Sequence, residues 1–103
     1  MSSEADGSYQ VSYSAVVRKE LKAILQRAIT AGLGEKAMSA VKTIDEQLSS
    51  NPLDFGDPWY DLPEAELTVF AKIVHPLMVV YGVHKEERVV FVKEFKPLPP
   101  DAF

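Results

Sequence analysis

A chain of 103 residues has room for one domain around one modest core, and 47% apolar with 25% charged residues is ordinary soluble composition. Zero cysteines exclude disulfides, thiol nucleophiles and cysteine metal sites. Eleven basic against fifteen acidic residues, a net charge of −4, argue against tight non-specific binding to nucleic acid, which depends on neutralising phosphates. No apolar run approaches the ~20 residues needed to cross a bilayer, so no membrane association is expected. Residues 1–8 are polar without a basic start, so they read as a disordered tail rather than a secretory signal. A cytoplasmic location is the expectation.

Tyr9-Gln10-Val11-Ser12-Tyr13 alternates large apolar with small polar side chains and predicts a short strand. Ser14 offers an N-cap to a helix whose stripe is Val17, Leu21, Ile24, Leu25 and Ala28. Gly32 and Gly34 are expected to end it in left-handed geometry. A second helix from about Glu35 carries Ala37, Val41, Ile44 and Leu48, with Met38 beside them, and Ser49-Ser50-Asn51-Pro52 stops it. Asn51 to Pro63 reads as an irregular loop laid over the core edge, because Leu53, Phe55, Trp59, Tyr60 and Leu62 are too many for a solvated linker.

Leu67 to Phe95 reads as a three-stranded meander of β-branched and aromatic residues. His75-Pro76 breaks the first strand from the second, and His84-Lys85-Glu86-Glu87 connects the second to the third. Pro97-Leu98-Pro99-Pro100 is expected to stop the ladder and open an extended tail over 97–103. The fold class is therefore α+β: a strand, a helix hairpin and a meander, with two helices on one face of a four-stranded, mainly antiparallel sheet. The helix hairpin returns the chain to its start, so the first strand is expected antiparallel to one of the later three.

Side-chain alternation puts Leu77, Val79, Tyr81 and Val83 on one face, and Met78, Val80 and Gly82 on the other. It likewise sets Val89, Phe91 and Phe95 against Val90 and Val92. Both faces are apolar, yet two helices shelter only one. Phe70, Val74, Met78 and Val80 are accordingly expected to form an exposed partner-binding patch, unless the aromatic loop or the tail covers it. Trp59 and Tyr60 read first as core cover and second as partner anchors. His75 and His84 have no third ligand at metal spacing, and the acids of 54–66 lack the spacing of a calcium loop, so no metal or cofactor is expected.

The order of elements resembles the RelE/ParE superfamily of bacterial toxin–antitoxin and plasmid-stabilisation systems, over Tyr9 to Lys96. The similar phrases are Tyr9-Gln10-Val11-Ser12-Tyr13-Ser14, Leu48-Ser49-Ser50-Asn51-Pro52 with Gly56, and Leu77-Met78-Val79-Val80-Tyr81-Gly82-Val83 before Val89-Val90-Phe91-Val92. The resemblance implies a toxin component whose partner is an antitoxin, with the ribosome or DNA gyrase as target. Family nucleases carry an arginine where this chain has Met78, a second basic residue near Pro97-Leu98, and a C-terminal tyrosine, whereas no tyrosine follows Tyr81 here. Methionine, proline and leucine cannot stabilise an anionic phosphorane. Three functions follow: a toxin acting by protein binding, a catalytically silent binding or homodimerising module, or an mRNA nuclease using relocated residues such as Lys72, His75, Lys93 and Lys96.

Overall fold

The structure, a computed structural model, describes residues 8–98. The tail expected over 1–8, Ser8 apart, and residues 99–103 of the tail expected over 97–103 lie outside the described residues.

Strand β1, Gln10–Tyr13, leads into helix α1, Ala15–Thr30. Ser14 is extended, and its Oγ accepts the Val17 N–H at 3.1 Å, satisfying one of the donors a helix start leaves free. Ser14→Ala is expected to lower stability by about 0.5–2 kcal/mol, read as an earlier urea midpoint with unchanged slope. Gly32 takes the expected positive φ, 81°. Gly34 does not. It opens helix α2, Gly34–Ser50, where a Cβ would lie 2.9 Å from Ile29 Cγ1, so its small size is what the helix junction needs. Helix α2 buries Ala37, Ala40, Ile44 and Leu48, while Val41 is half-buried and Met38 exposed.

The stretch expected as a loop is mostly ordered into elements. A single turn α3, Pro52–Phe55, precedes strand β2, Asp57–Leu62, and a 3₁₀ turn, Pro63–Ala65. The meander follows as β3, Leu67–Val74; β4, Leu77–His84; and β5, Val89–Pro97. Among the described residues the sheet thus has five strands rather than four, in the order β1-β5-β4-β3-β2.

Two further expectations are corrected. Strand β1 pairs with β5 in parallel, not antiparallel. The helix hairpin does bring the chain back to its start, where the Tyr9 N–H donates to the Ser49 carbonyl at 2.8 Å. Strand β2 then runs opposite to β1, and three reversals later β5 runs with it. The ladder also extends through Pro97, opposite Leu77, and the Leu98 N–H donates to the Pro76 carbonyl at 3.0 Å. Proline is tolerated because it is the last residue of its strand, and Leu98 supplies the donor that Pro97 lacks.

The core lies between the helices and one sheet face. Ile44 and Leu48 of α2 and Val17 and Ile24 of α1 meet Leu77, Val79, Tyr81 and Val83 of β4, flanked by Val90, Val92 and Phe95 of β5. Phe95 therefore leaves the face expected for it. The register slips between Val80 and Tyr81, so that Glu94 pairs with Val80 but Val92 with Tyr81, and Lys93 is the extra residue of a bulge. That insertion inverts the alternation after Val92 and turns Phe95 inward. There it stacks on Tyr13, ring centroids 6.4 Å apart.

Candidate functional site

Cross-strand partners share a face, so the register fixes which candidate residues can meet. Lys72 pairs with Val79 on the helix-covered side, and its Nζ lies 5.5 Å from the Phe55 ring centroid. Lys96 pairs with Met78 and Met78 with Ile73, on the opposite side. Lys93 lies in the β5 bulge. His75 stands in the β3–β4 turn, before a cis peptide bond to Pro76, and lines a cleft with Lys36, Ser39 and Thr43 of α2. The four candidate catalytic residues are thus distributed over both faces and one end of the sheet. Among the described residues, no group of three His, Asp or Glu side chains is placed to hold a metal ion.

The expected apolar patch also divides. Phe70 pairs with Tyr81 and Val74 with Leu77, which puts both on the helix side, where Phe70 is buried and Val74 half-buried. Met78 and Val80 lie on the outer side, the first half-buried and the second buried. The four do not form one exposed patch. The signal was in the sequence: a two-residue turn at His75-Pro76 sets Val74 opposite Leu77, so even-numbered residues of β3 face odd-numbered residues of β4.

What the outer side does expose is Ile73, 58% accessible, and Phe91, 42%, with Tyr60 and Leu62 at the β2 end. Tyr60 and Leu62 pair with Val69 and Leu67, and a register shift at Trp59 interrupts β2 between Pro58 and Tyr60. Trp59 is 60% and Tyr60 40% accessible, their rings edge to face at 5.5 Å. The expectation that they cover the core fails. Both belong to an edge strand in which all six residues are exposed.

Two tyrosines are structural. The Tyr81 hydroxyl donates to the Pro52 carbonyl at 2.7 Å, and its ring stacks on Phe70 at 5.3 Å and on Phe55 at 6.4 Å. Burial pushes its pKa up to about 12; Asp57 adds to the rise and a Gly56 backbone hydrogen bond opposes it. Gly56 is glycine for space: a Cβ there would lie 2.6 Å from the Tyr81 hydroxyl and 3.1 Å from the Ala71 carbonyl oxygen. Tyr13 donates to Asp45 Oδ1 at 2.8 Å, and burial, then that bond and the carboxylate charge, raise its pKa further still. Tyr13 and Asp45 border an open groove of 390 Å³ between the helices, floored by Leu21, Met38 and Val41. Each phenol is held neutral in an internal hydrogen bond, Tyr81 to a carbonyl and Tyr13 to a carboxylate, and so ties elements of the fold together.

No protein-family model and no curated protein matches the sequence. Solved structures do. A chain of the archaeal RelE–RelB complex from Pyrococcus horikoshii OT3 matches with a TM-score of 0.66 over 90% of this chain and 98% of that one, at 15% identity. A chain of the toxin–antitoxin complex RelBE2 from Mycobacterium tuberculosis matches with a TM-score of 0.63 over 87% of this chain and 91% of that one, at 18% identity. A helix hairpin on one face of a five-stranded mixed sheet, with the other face left to solvent at Ile73 and Phe91, is the RelE-like α+β fold.

Proposed function

We propose that this chain is the toxin-like member of a toxin–antitoxin pair and acts by binding a protein rather than by cleaving RNA. One observation carries the reading: the sheet side away from the helices and the β2 edge expose apolar and aromatic groups, whereas the candidate cations do not converge. The two neighbours named above come from complexes with a partner, RelE–RelB in one case and a toxin–antitoxin complex in the other. The acidity supports the same choice, since phosphate-rich targets favour cationic surfaces. Under this reading an antitoxin segment shelters the exposed surface, and a proteinaceous target such as gyrase competes for it.

Inducible expression in a bacterial host tests the proposal. Growth arrest with ribosome-bound mRNA left intact is the expected result, and arrest should persist in the Lys93→Ala and Lys96→Ala variants. Unimpaired growth at high expression contradicts the toxin reading. Cleaved mRNA that disappears with Lys93→Ala contradicts the binding mechanism.

A further inference from the structure

We propose that the free edge of β2 is a docking site for a cationic, extended segment of a partner protein, which adds to the sheet as a sixth strand. The inference rests on the binding reading above for what the partner is, while the chemistry of the edge stands on three observations of its own.

First, among the described residues β2 is hydrogen-bonded to β3 alone and terminates the sheet, so its outward row of backbone donors and acceptors faces no other described strand. An edge of this kind is a template for β-addition. Pro58 and the register shift beside Trp59 spoil half of it, which confines pairing to Tyr60–Leu62. A three-residue ladder is short, so recognition must draw on side chains.

Second, the side chains at that point are those that anchor partners. Trp59 and Tyr60 stand exposed at the shift, and Leu62 follows on the side of the sheet that carries Ile73 and Phe91. Exposed adjacent aromatics that serve no core are the residue types that dominate interface energetics.

Third, charge selects the occupant. From Pro52 to Ala71 the chain carries Asp54, Asp57, Asp61, Glu64 and Glu66 and no Lys, Arg or His. Helix α1 is opposite in sign, with Arg18, Lys19, Lys22 and Arg27 against Glu20. Asp57 and Asp61 lie on the edge strand itself and Glu64 in the turn after it, while Glu66 lies 3.4 Å from His84 and Asp54 lines a cleft with Arg88. A second copy of the chain fits poorly: antiparallel β2–β2 pairing over Tyr60–Leu62 is centred on Asp61 and sets the Asp61 residues of the two copies opposite each other, and like charges directly opposite destabilise a sheet. A segment alternating lysine or arginine with apolar residues satisfies the backbone, the aromatics and the carboxylates together.

Trp59 is the only tryptophan, so the intact protein reports on its own edge. The probe is a synthetic peptide alternating lysine with valine, titrated against Trp59 emission and, independently, by calorimetry. Saturable binding with a blue shift is expected, weakened roughly tenfold by high salt. An Asp57→Asn/Asp61→Asn double variant should weaken it by a similar factor, and its unchanged far-ultraviolet circular dichroism would show that it still folds. The same peptide N-methylated on alternate residues should not bind, because it cannot complete a ladder. Equal binding by the N-methylated peptide, equal binding by a glutamate–valine analogue, or no binding at all overturns the proposal. So does a Trp59 shift with protein concentration alone, which would make a second copy the occupant. None of these readouts involves toxicity, so a harmless protein that binds the peptide would refute the toxin reading and leave this inference intact.

Discussion

Tyr81→Ala is expected to lower the free energy of unfolding by about 3–5 kcal/mol, the cost of removing a large aromatic from a closed core. The ring is fully buried between Phe70 and Phe55, and its hydroxyl ties β4 to the Pro52 carbonyl in α3. Tyr81→Phe separates the two contributions. It keeps the stacking but leaves the buried carbonyl without its donor, at a cost of about 1–3 kcal/mol. The denaturant midpoints of the three proteins should therefore fall in the order tyrosine, phenylalanine, alanine, and coincident phenylalanine and alanine values would contradict the packing assigned to the ring.

The same hydroxyl sets a pH dependence with a definite sign. An unfolded tyrosine ionises near pH 10, whereas folding pushes Tyr81 to about 12. The folded state therefore holds its proton where the unfolded state has lost it, and stability falls as pH rises from about 10 to about 12. Below pH 10 both states are protonated and this group contributes no slope. Tyr13, raised in the same direction by burial and Asp45, adds to the alkaline loss. Urea melts of Tyr81→Phe across this range should show a shallower decline than those of the parent chain.

The second large effect is a contrast between two isoleucines on opposite sides of the sheet. Ile44 is fully buried in α2 against β4, and Ile44→Ala is expected to cost about 2–5 kcal/mol. Ile73 is 58% accessible on the uncovered side, and Ile73→Ala should stay within about 0.5 kcal/mol. Similar losses from both substitutions would mean that the outer side is covered in solution. Thermal or urea unfolding of the two variants at one protein concentration suffices for the comparison.

Much of this architecture was legible from residue pattern. Ser14 marked the start of α1, the three- and four-residue spacing of Val17, Leu21, Ile24 and Ala28 marked its inward stripe, and β-branched runs marked β3, β4 and β5. Strand β2 was not legible. Asp57-Pro58-Trp59-Tyr60-Asp61-Leu62 has a proline, two acids and no regular alternation, and its register shift removes the period by which strands are recognised. The same physics hid the face of Phe95, since one extra residue at Lys93 inverts alternation without leaving a local mark. Phe70, Val74, Met78 and Val80, expected as one exposed patch, divide between the two faces of the sheet. Phe70 and Val80 are buried, and the exposed aromatics sit on a strand whose sequence reads as a loop.

The parallel pairing of β1 was beyond reach for another reason. It depends on how many strands intervene between the helix hairpin and β5, and overlooking one strand changes the number of reversals. Local propensity carries no information on that number. The helix hairpin itself was secure, because Gly32 and the short connection leave two amphipathic helices little choice but to pack together.

The helices shelter one side of the sheet and leave Ile73 and Phe91 on the other side, and Trp59 on the β2 edge, exposed. Broadening of side-chain NMR signals by a soluble paramagnetic probe tests it most directly, in a sample shown by sedimentation to be monomeric. Strong broadening is expected at Ile73, Phe91 and Trp59 and none at Ile44, Leu77 or Val79. Protection of Ile73 and Phe91 equal to that of Ile44 would contradict it.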